Sequence, residues 1–265
     1  MSLETLSNFS YTDILFYRNF IKTKSQNFNL SLDRFLDENE LVDVWYAERQ
    51  NHIDVFGREQ SISSIRSSDI QKRLKNKLEQ HLTFQQDYHI DVHLCKLVQP
   101  THTHIDGHLP FLNNKKYCIT KIFIIPLAFD TDYDDTSSLI TYLVKFKQHY
   151  NYYTEGGYEY TRLLRNNLTY NSYNLEDEEL SIMDKHNEKF IYDADPTIFN
   201  HFQRHFPNLQ HGLDIQKVCK MKLGSIESLN PYQIHCSGDF KDFKCKYVCR
   251  IVLYLKMDED CHVVK

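Results

Sequence analysis

"YHIDVHLCKLVQPTHTHIDGHLPF", Tyr88 to Phe111, changes character partway along. Its first half alternates Ile90, Val92 and Leu94 against Asp91, His93 and Cys95, the period of two expected of a half-buried strand. Its second half, beyond Pro100, places His102, His104, Asp106 and His108 at every second position. In extended chain such residues project from one face, roughly 6–7 Å apart along the strand. An imidazole and a carboxylate so placed can reach one metal ion. A further histidine from elsewhere would complete a facial triad of the non-haem iron type, with positions left open for reactants.

On the amino-terminal side the pattern is helical. "SLDRFLDENELVDVWYAERQ" carries Leu32, Phe35, Leu36, Leu41, Val42 and Trp45 at near-helical spacing. "SSDIQKRLKNKLEQHL" puts Ile70, Leu74, Leu78 and Leu82 on one stripe, with Ser67, Ser68 or Asp69 as the N-cap. Residues 1–86 therefore read as a mostly helical support region. On the other side, "YCITKIFIIPLAF" reads as a strand buried on both faces and ended near Pro126, and "SLITYLVKFKQHY" as the next strand. A polar, Asn/Tyr-rich stretch from about 151 to 211 follows. It reads as an insertion with local structure of its own, because a structureless loop of that length is unusual in a compact domain. Strand character returns in "LDIQKVCKMKLGSIESL", "YQIHCSGDF" and "KYVCRIVLYLKM". With no repeat or low-complexity linker, one domain is expected over 1–265: a β core over 87–256, helices outside it, and the insertion between core strands.

Composition narrows the function classes. Apolar residues make up 41% of 265, enough for one large core. Glycine is scarce, and neither GxxxxGK[ST] nor GxGxxG occurs, which argues against a phosphate-cradling loop. A formal charge of -5 gives no general attraction to nucleic acid. The sequence shows no secretory leader and no run of about 18 apolar residues, so no membrane association is expected. Seven scattered cysteines without a CxxC pair suggest a reducing compartment, and a cytoplasmic protein is the expectation.

"HID" occurs three times, at His52–Asp54, His89–Asp91 and His104–Asp106. The first reads as a surface turn and the second as the wet face of a strand. The third lies where a strand meets a loop, a common place for sites. Near the other end, "NPYQIHCSGDFKDFKCKYVCRIVLYLK" places His235 after a short strand, then a polar turn, then a strongly apolar strand. Parity puts Lys244, Lys246, Val248, Arg250 and Val252 on one face of that strand. Cys249, Ile251, Leu253 and Leu255 fall on the other. A guanidinium between apolar neighbours costs several kcal/mol unless a carboxylate meets it, and its planar fork suits two-point carboxylate recognition. A core acid, or snorkelling to a rim, would also answer.

An HxD near the start of a β core, a distant histidine and a basic residue on the following strand resemble the 2-oxoglutarate/Fe(II)-dependent dioxygenases, over roughly Asp87 to Lys256. That resemblance implies a mainly β fold, with a double-stranded β-helix (jelly-roll, cupin-like) core, amino-terminal helices and an insertion. It implies Fe(II) held by His104, Asp106 and His235. It matches Arg250 to the anchor of the far carboxylate of 2-oxoglutarate, while Lys246 or Lys244 would suit a shorter turn. The reaction implied is hydroxylation of a C–H bond with dioxygen as 2-oxoglutarate becomes succinate, and Asp106, absent from related halogenases, favours that outcome. His102 could replace a ligand in an HxH arrangement or orient one, and His211 is the rival distal ligand. The competing reading is a cupin-like metal-binding or non-catalytic β-barrel protein. Zinc on Cys245, Cys249 and His262 fits poorly, because the two cysteines are too far apart on one strand. The substrate stays open among an amino acid, a protein side chain, a small metabolite and a nucleobase. The insertion, with Gly156 and Gly157 as turn or hinge, is expected to be a lid or substrate-facing region.

Overall fold

The computed structural model describes residues 25–51, 61–65, 67–98, 111–112, 116–132, 139–148, 213–231, 235–237 and 244–257. Among these, two α-helices flank ten strands: α1 (Glu38–Asn51) and α2 (Ser68–Glu79), with β1 (Ser31–Leu32), β2 (Ser61–Ser64), β3 (Tyr88–Leu97), β4 (Phe111–Leu112), β5 (Tyr117–Asp130), β6 (Thr141–Gln148), β7 (Leu213–Met221), β8 (Ile226–Leu229), β9 (His235–Ser237) and β10 (Cys245–Lys256). The strands form two antiparallel sheets. The larger runs β1-β8-β5-β10-β3-β2, with β4 also on β5, and the smaller runs β7-β6-β9. From β5 onward the chain passes to the small sheet for β6 and β7, back for β8, across for β9 and back for β10. That double winding is the double-stranded β-helix, and the mainly β class expected from the sequence holds.

The helices begin where side chains satisfy their first amides. In α2, Ser67 Oγ accepts from the Ile70 amide at 3.3 Å, so the cap is Ser67, and Ile70, Leu74 and Leu78 are buried. Burying each such side chain contributes about 1.5–3 kcal/mol. The stripe packs toward β3. In α1 the amide of Asp37 donates to Glu40 Oε2 and the amide of Glu40 to Asp37 Oδ1, both at 2.9 Å, a reciprocal capping box. That box explains a difference from the sequence pattern. Helical spacing starts at Leu32, but Ser31 and Leu32 pair with β8 as a strand, and the helix starts only at Glu38.

The centre of the sheet's outer face is apolar. In register, Cys249 stands between Leu94 and Ile125, and Ile251 between Val92 and Phe123; all six are buried. The buried Lys121 shares this face, and its Nζ donates to Asn29 Oδ1 (2.6 Å) and Asn230 Oδ1 (2.7 Å). Burial first, and then the nearby Lys145 charge, bring its pKa down to about 8.

Pro126 does not end β5, as the sequence suggested. The strand runs on to Asp130, and the β10 register skips from Ala128 to Pro126, so Leu127 bulges. The Pro126 carbonyl accepts from the Gly224 amide at 2.9 Å. Gly224, at φ +75°, turns β7 into β8, and its carbonyl takes the amides of Phe35 and Leu36. A Cβ there would sit 2.5 Å from Leu36 O, so only glycine fits. Cys95, Cys118, Cys219, Cys245 and Cys249 are buried thiols. Among the described residues no helix is long and apolar enough to cross a membrane.

Candidate active site

Side-chain hydrogen bonds tie the sheets across the space between them. Lys246 Nζ on β10 donates to Thr141 Oγ1 on β6 at 2.9 Å. Lys145 Nζ on β6 donates to Glu227 Oε1 on β8 at 2.5 Å. Glu227 lies in one rung with Ile124, Arg250 and His93. Positions 141 and 145 of β6 therefore face the levels of 246 and 250 of β10, and one set of inward faces lines a common chamber.

His235 enters this chamber through its register. It pairs with Lys145 across β6 and β9, and paired residues project to the same side of a sheet. It is buried (4% exposed) at the level of Arg250. Lys246 is equally buried, at the Thr141 end. Arg250 is half-buried, with its Nε fully enclosed. Lys244, the shorter-turn candidate, is exposed and pairs with Asp132 at 2.6 Å. The parity expected for β10 thus holds, and it brings His235, Lys246 and Arg250 to one space. His102, His104, Asp106, His108, His211, His262, the His52–Asp54 pair and the insertion lie outside the described residues. Among the described residues no three His, Cys, Asp or Glu side chains gather to hold a metal. Cys245 and Cys249 face away from the chamber, with Cys245 Sγ 3.8 Å from Asp130 Oδ2.

The sequence reading missed the chamber's acid. Glu227 is buried and accepts from Lys145, from Lys217 Nζ at 3.1 Å and from Ser31 Oγ at 2.7 Å. Burial pushes its pKa up, but the hydrogen bonds from Lys145 and Ser31, with the Lys145 charge, outweigh it and hold the carboxyl below its ordinary value. The only sequence signal was an acid set among Ile226, Ser228 and Leu229. Glu227→Gln leaves Lys145 without its counter-charge and should cost about 3 kcal/mol of stability at neutral pH. A carboxyl with a lowered folded pKa stabilises above its unfolded value and loses that contribution as pH falls through the folded one. Urea midpoints of wild type and variant should therefore lie far apart at pH 7 and approach each other below the ordinary carboxylate pKa.

The β3 side of the chamber is polar and increasingly open. Cys95 is 6% exposed and His93 half-buried, while the side chains of Asp91 and His89 are 36% and 52% exposed. His89 Nε2 and Asp91 Oδ1 lie 2.9 Å apart, so the second HxD is a self-contained pair on the wetter face, as its alternation suggested. Tyr254, opposite His89 on β10, hydrogen-bonds Asp91. Burial first, and then the Asp91 charge, push its hydroxyl up to about 12.

No family model and no curated protein matches the chain. Among solved structures it is similar to a viral collagen prolyl hydroxylase, vCPH, from Paramecium Bursaria Chlorella virus-1 in its 2OG complex, at 10% identity over 87% of this chain and 97% of that one, TM-score 0.44. It is also similar to EvdO2 from Micromonospora carbonacea var. aurantiaca complexed with 2-oxoglutarate, at 10% identity over 92% of each chain, TM-score 0.44. A third is HygX from Streptomyces hygroscopicus with nickel and 2-oxoglutarate bound, at 10% identity over 91% of this chain and 87% of that one, TM-score 0.41.

Proposed function

We propose that this chain is a non-haem Fe(II)- and 2-oxoglutarate-dependent oxygenase that hydroxylates a C–H bond, with His104, Asp106 and His235 as metal ligands. The observation that carries the reading is a buried imidazole and a buried ammonium projecting into one chamber from facing sheets. Both fit the groups assigned to them. Imidazole nitrogen is a good donor to a first-row metal, and a cation away from water is a good receptor for a carboxylate.

Of the two cations on β10, Lys246 is assigned the far carboxylate of 2-oxoglutarate, with Thr141 beside it and Arg250 as the alternative. Arg250 stands at the level of His235. A diacid that chelates at that level carries its second carboxylate away from it, so its anchor belongs on another rung. When bound, iron and 2-oxoglutarate supply the oxidation: one atom of dioxygen enters the substrate C–H bond as hydroxyl, the other enters succinate, and carbon dioxide leaves. The chain's own part is to hold the metal, neutralise the diacid and keep water out. For the last, Val248, Val252, Ile122, Leu229 and Leu143 present buried apolar surface on the chamber faces.

Anaerobic addition of Fe(II) and 2-oxoglutarate should produce a weak visible metal-to-ligand charge-transfer band. In air, succinate should form faster than with free iron, even without a second substrate. If neither is seen with a folded chain, the assignment fails.

A further inference from the structure

Solvent reaches the chamber at the level of His235. On the large sheet Ile124, Arg250 and His93 are half-buried in that rung, whereas Leu229, Ile122 and Val252 in the next are buried. On the small sheet the inward side chains open toward the same level. Thr141 and Leu143 of β6 and Met221 and Cys219 of β7 are buried. Lys145 and Lys217, paired in register, have side chains 12% and 48% exposed. Lys217 reaches Glu227 on β8 from the end strand of the described small sheet, so an ion pair with an exposed outer member closes this side of the chamber.

The charges there do not balance. Lys145 and Lys217 share Glu227, the one acid among the described residues within ion-pair distance of either. Glu227 accepts Lys145 on Oε1, and Lys217 and Ser31 Oγ on Oε2. Two ammoniums on one carboxylate leave one positive charge. Lys145 spends a second donor on the Ser228 carbonyl at 2.7 Å, whereas Lys217 gives Glu227 one of its three, at 3.1 Å. The neighbouring Cys219 supplies no countercharge, because burial pushes its thiol up to about 11. The surplus is felt beyond the cluster. After the cost of burial itself, the Lys145 charge acts on Lys121 more strongly than the opposing charge of Glu227.

We propose that the second substrate is a carboxylic acid, its carboxylate received by Lys217 at the β7–β8 edge and its reacting C–H carried inward to the His235 level. This rests on the oxygenase reading. Along the rung Lys217–Lys145–His235, two strand spacings, about 10 Å, separate the outer backbones, so a molecule of a few carbons spans from the ammonium toward the imidazole. A single carboxylate neutralises the surplus, whereas a phosphate dianion exceeds it and a cation is repelled by it.

The experiment uses hexanoate as probe and the full chain loaded with Mn(II) and saturated with 2-oxoglutarate. Proton relaxation of the probe by the paramagnetic ion is followed as hexanoate is titrated in. Relaxation should saturate, and because it falls steeply with distance from the metal, the terminal methyl should be relaxed more than the protons beside the carboxylate. Hexanamide, and hexanoate with Lys217→Gln, should bind about 10-fold more weakly, between the cost of losing an exposed and a buried charge partner. Lys217→Arg, which keeps the charge, should bind like wild type. Affinity is read from the titration midpoint, so partial unfolding lowers the amplitude without imitating the result. The proposal is overturned if no saturable relaxation is seen, if hexanamide binds as well as hexanoate, or if hexyl phosphate binds more tightly. It is equally overturned if Lys217→Gln keeps the wild-type midpoint or the protons beside the carboxylate are relaxed most, as they would be with that carboxylate on the metal. Failure of the oxygenase reading shows separately, as loss of the charge-transfer band and of basal succinate with iron, and takes this proposal with it.

Discussion

Replacing His235 with alanine is expected to abolish the charge-transfer band and bring succinate formation down to the level of free iron. Loss of groups that merely orient a metal ligand already costs about 10–100-fold, and loss of the ligand itself should exceed that range. The expectation depends on where the imidazole stands. His235 is buried on β9, opposite Lys145, whose own side chain crosses to Glu227 on the other sheet. A purely structural histidine would give a different pattern, with the urea midpoint falling while the folded fraction kept its band. His235→Gln, which keeps more of the packed volume, separates the cases. It should fold like wild type and still lack the band. Survival of the band at full intensity in either variant would remove His235 from the metal and leave the oxygenase assignment without its described ligand.

Lys246→Met is expected to move two quantities in opposite directions. Half-saturation by 2-oxoglutarate, followed through the anaerobic band, should rise about 100-fold, because truncating one partner of a buried charge pair costs roughly 2–5 kcal/mol. Stability without ligand should stay level or increase. Lys246 holds a buried ammonium, bonded to the Thr141 hydroxyl at 2.9 Å, and methionine of similar length removes that desolvation cost. A residue kept for stability alone would not show this opposition. Arg250→Gln should weaken 2-oxoglutarate far less. If the two variants exchange their effects, Arg250 is the anchor.

Sequence reading went furthest where one period persists. Alternation in β3 and β10 set the inward and outward faces correctly, because both strands keep unbroken register with each other from Tyr88 and Leu255 to Leu97 and Lys246. The Ile70, Leu74 and Leu78 stripe did the same for α2. It went wrong where a local signal is overridden by neighbours distant in sequence. Pro126 looks like a stop, yet a one-residue bulge and the Gly224 amide accommodate it. Leu32 looks helical, yet β8 captures it as a strand. Glu227 carries no motif at all. Its importance comes from two lysines reaching it from another sheet, which no spacing within β8 encodes. The double-stranded β-helix likewise came from family resemblance and not from periodicity, since alternation shows which face is buried but not which strand lies next.

The placement of β10 also bears on how the polypeptide reaches its native state. This strand lies between β3 and β5 and makes long antiparallel ladders with both, although it is synthesised after each of them. Until it arrives, a nascent chain holds two apolar strands with open edges and no mutual partner, the kind of surface that recruits other molecules. Closure then waits on contacts between residues far apart in sequence, which slows folding relative to a fold built from local contacts.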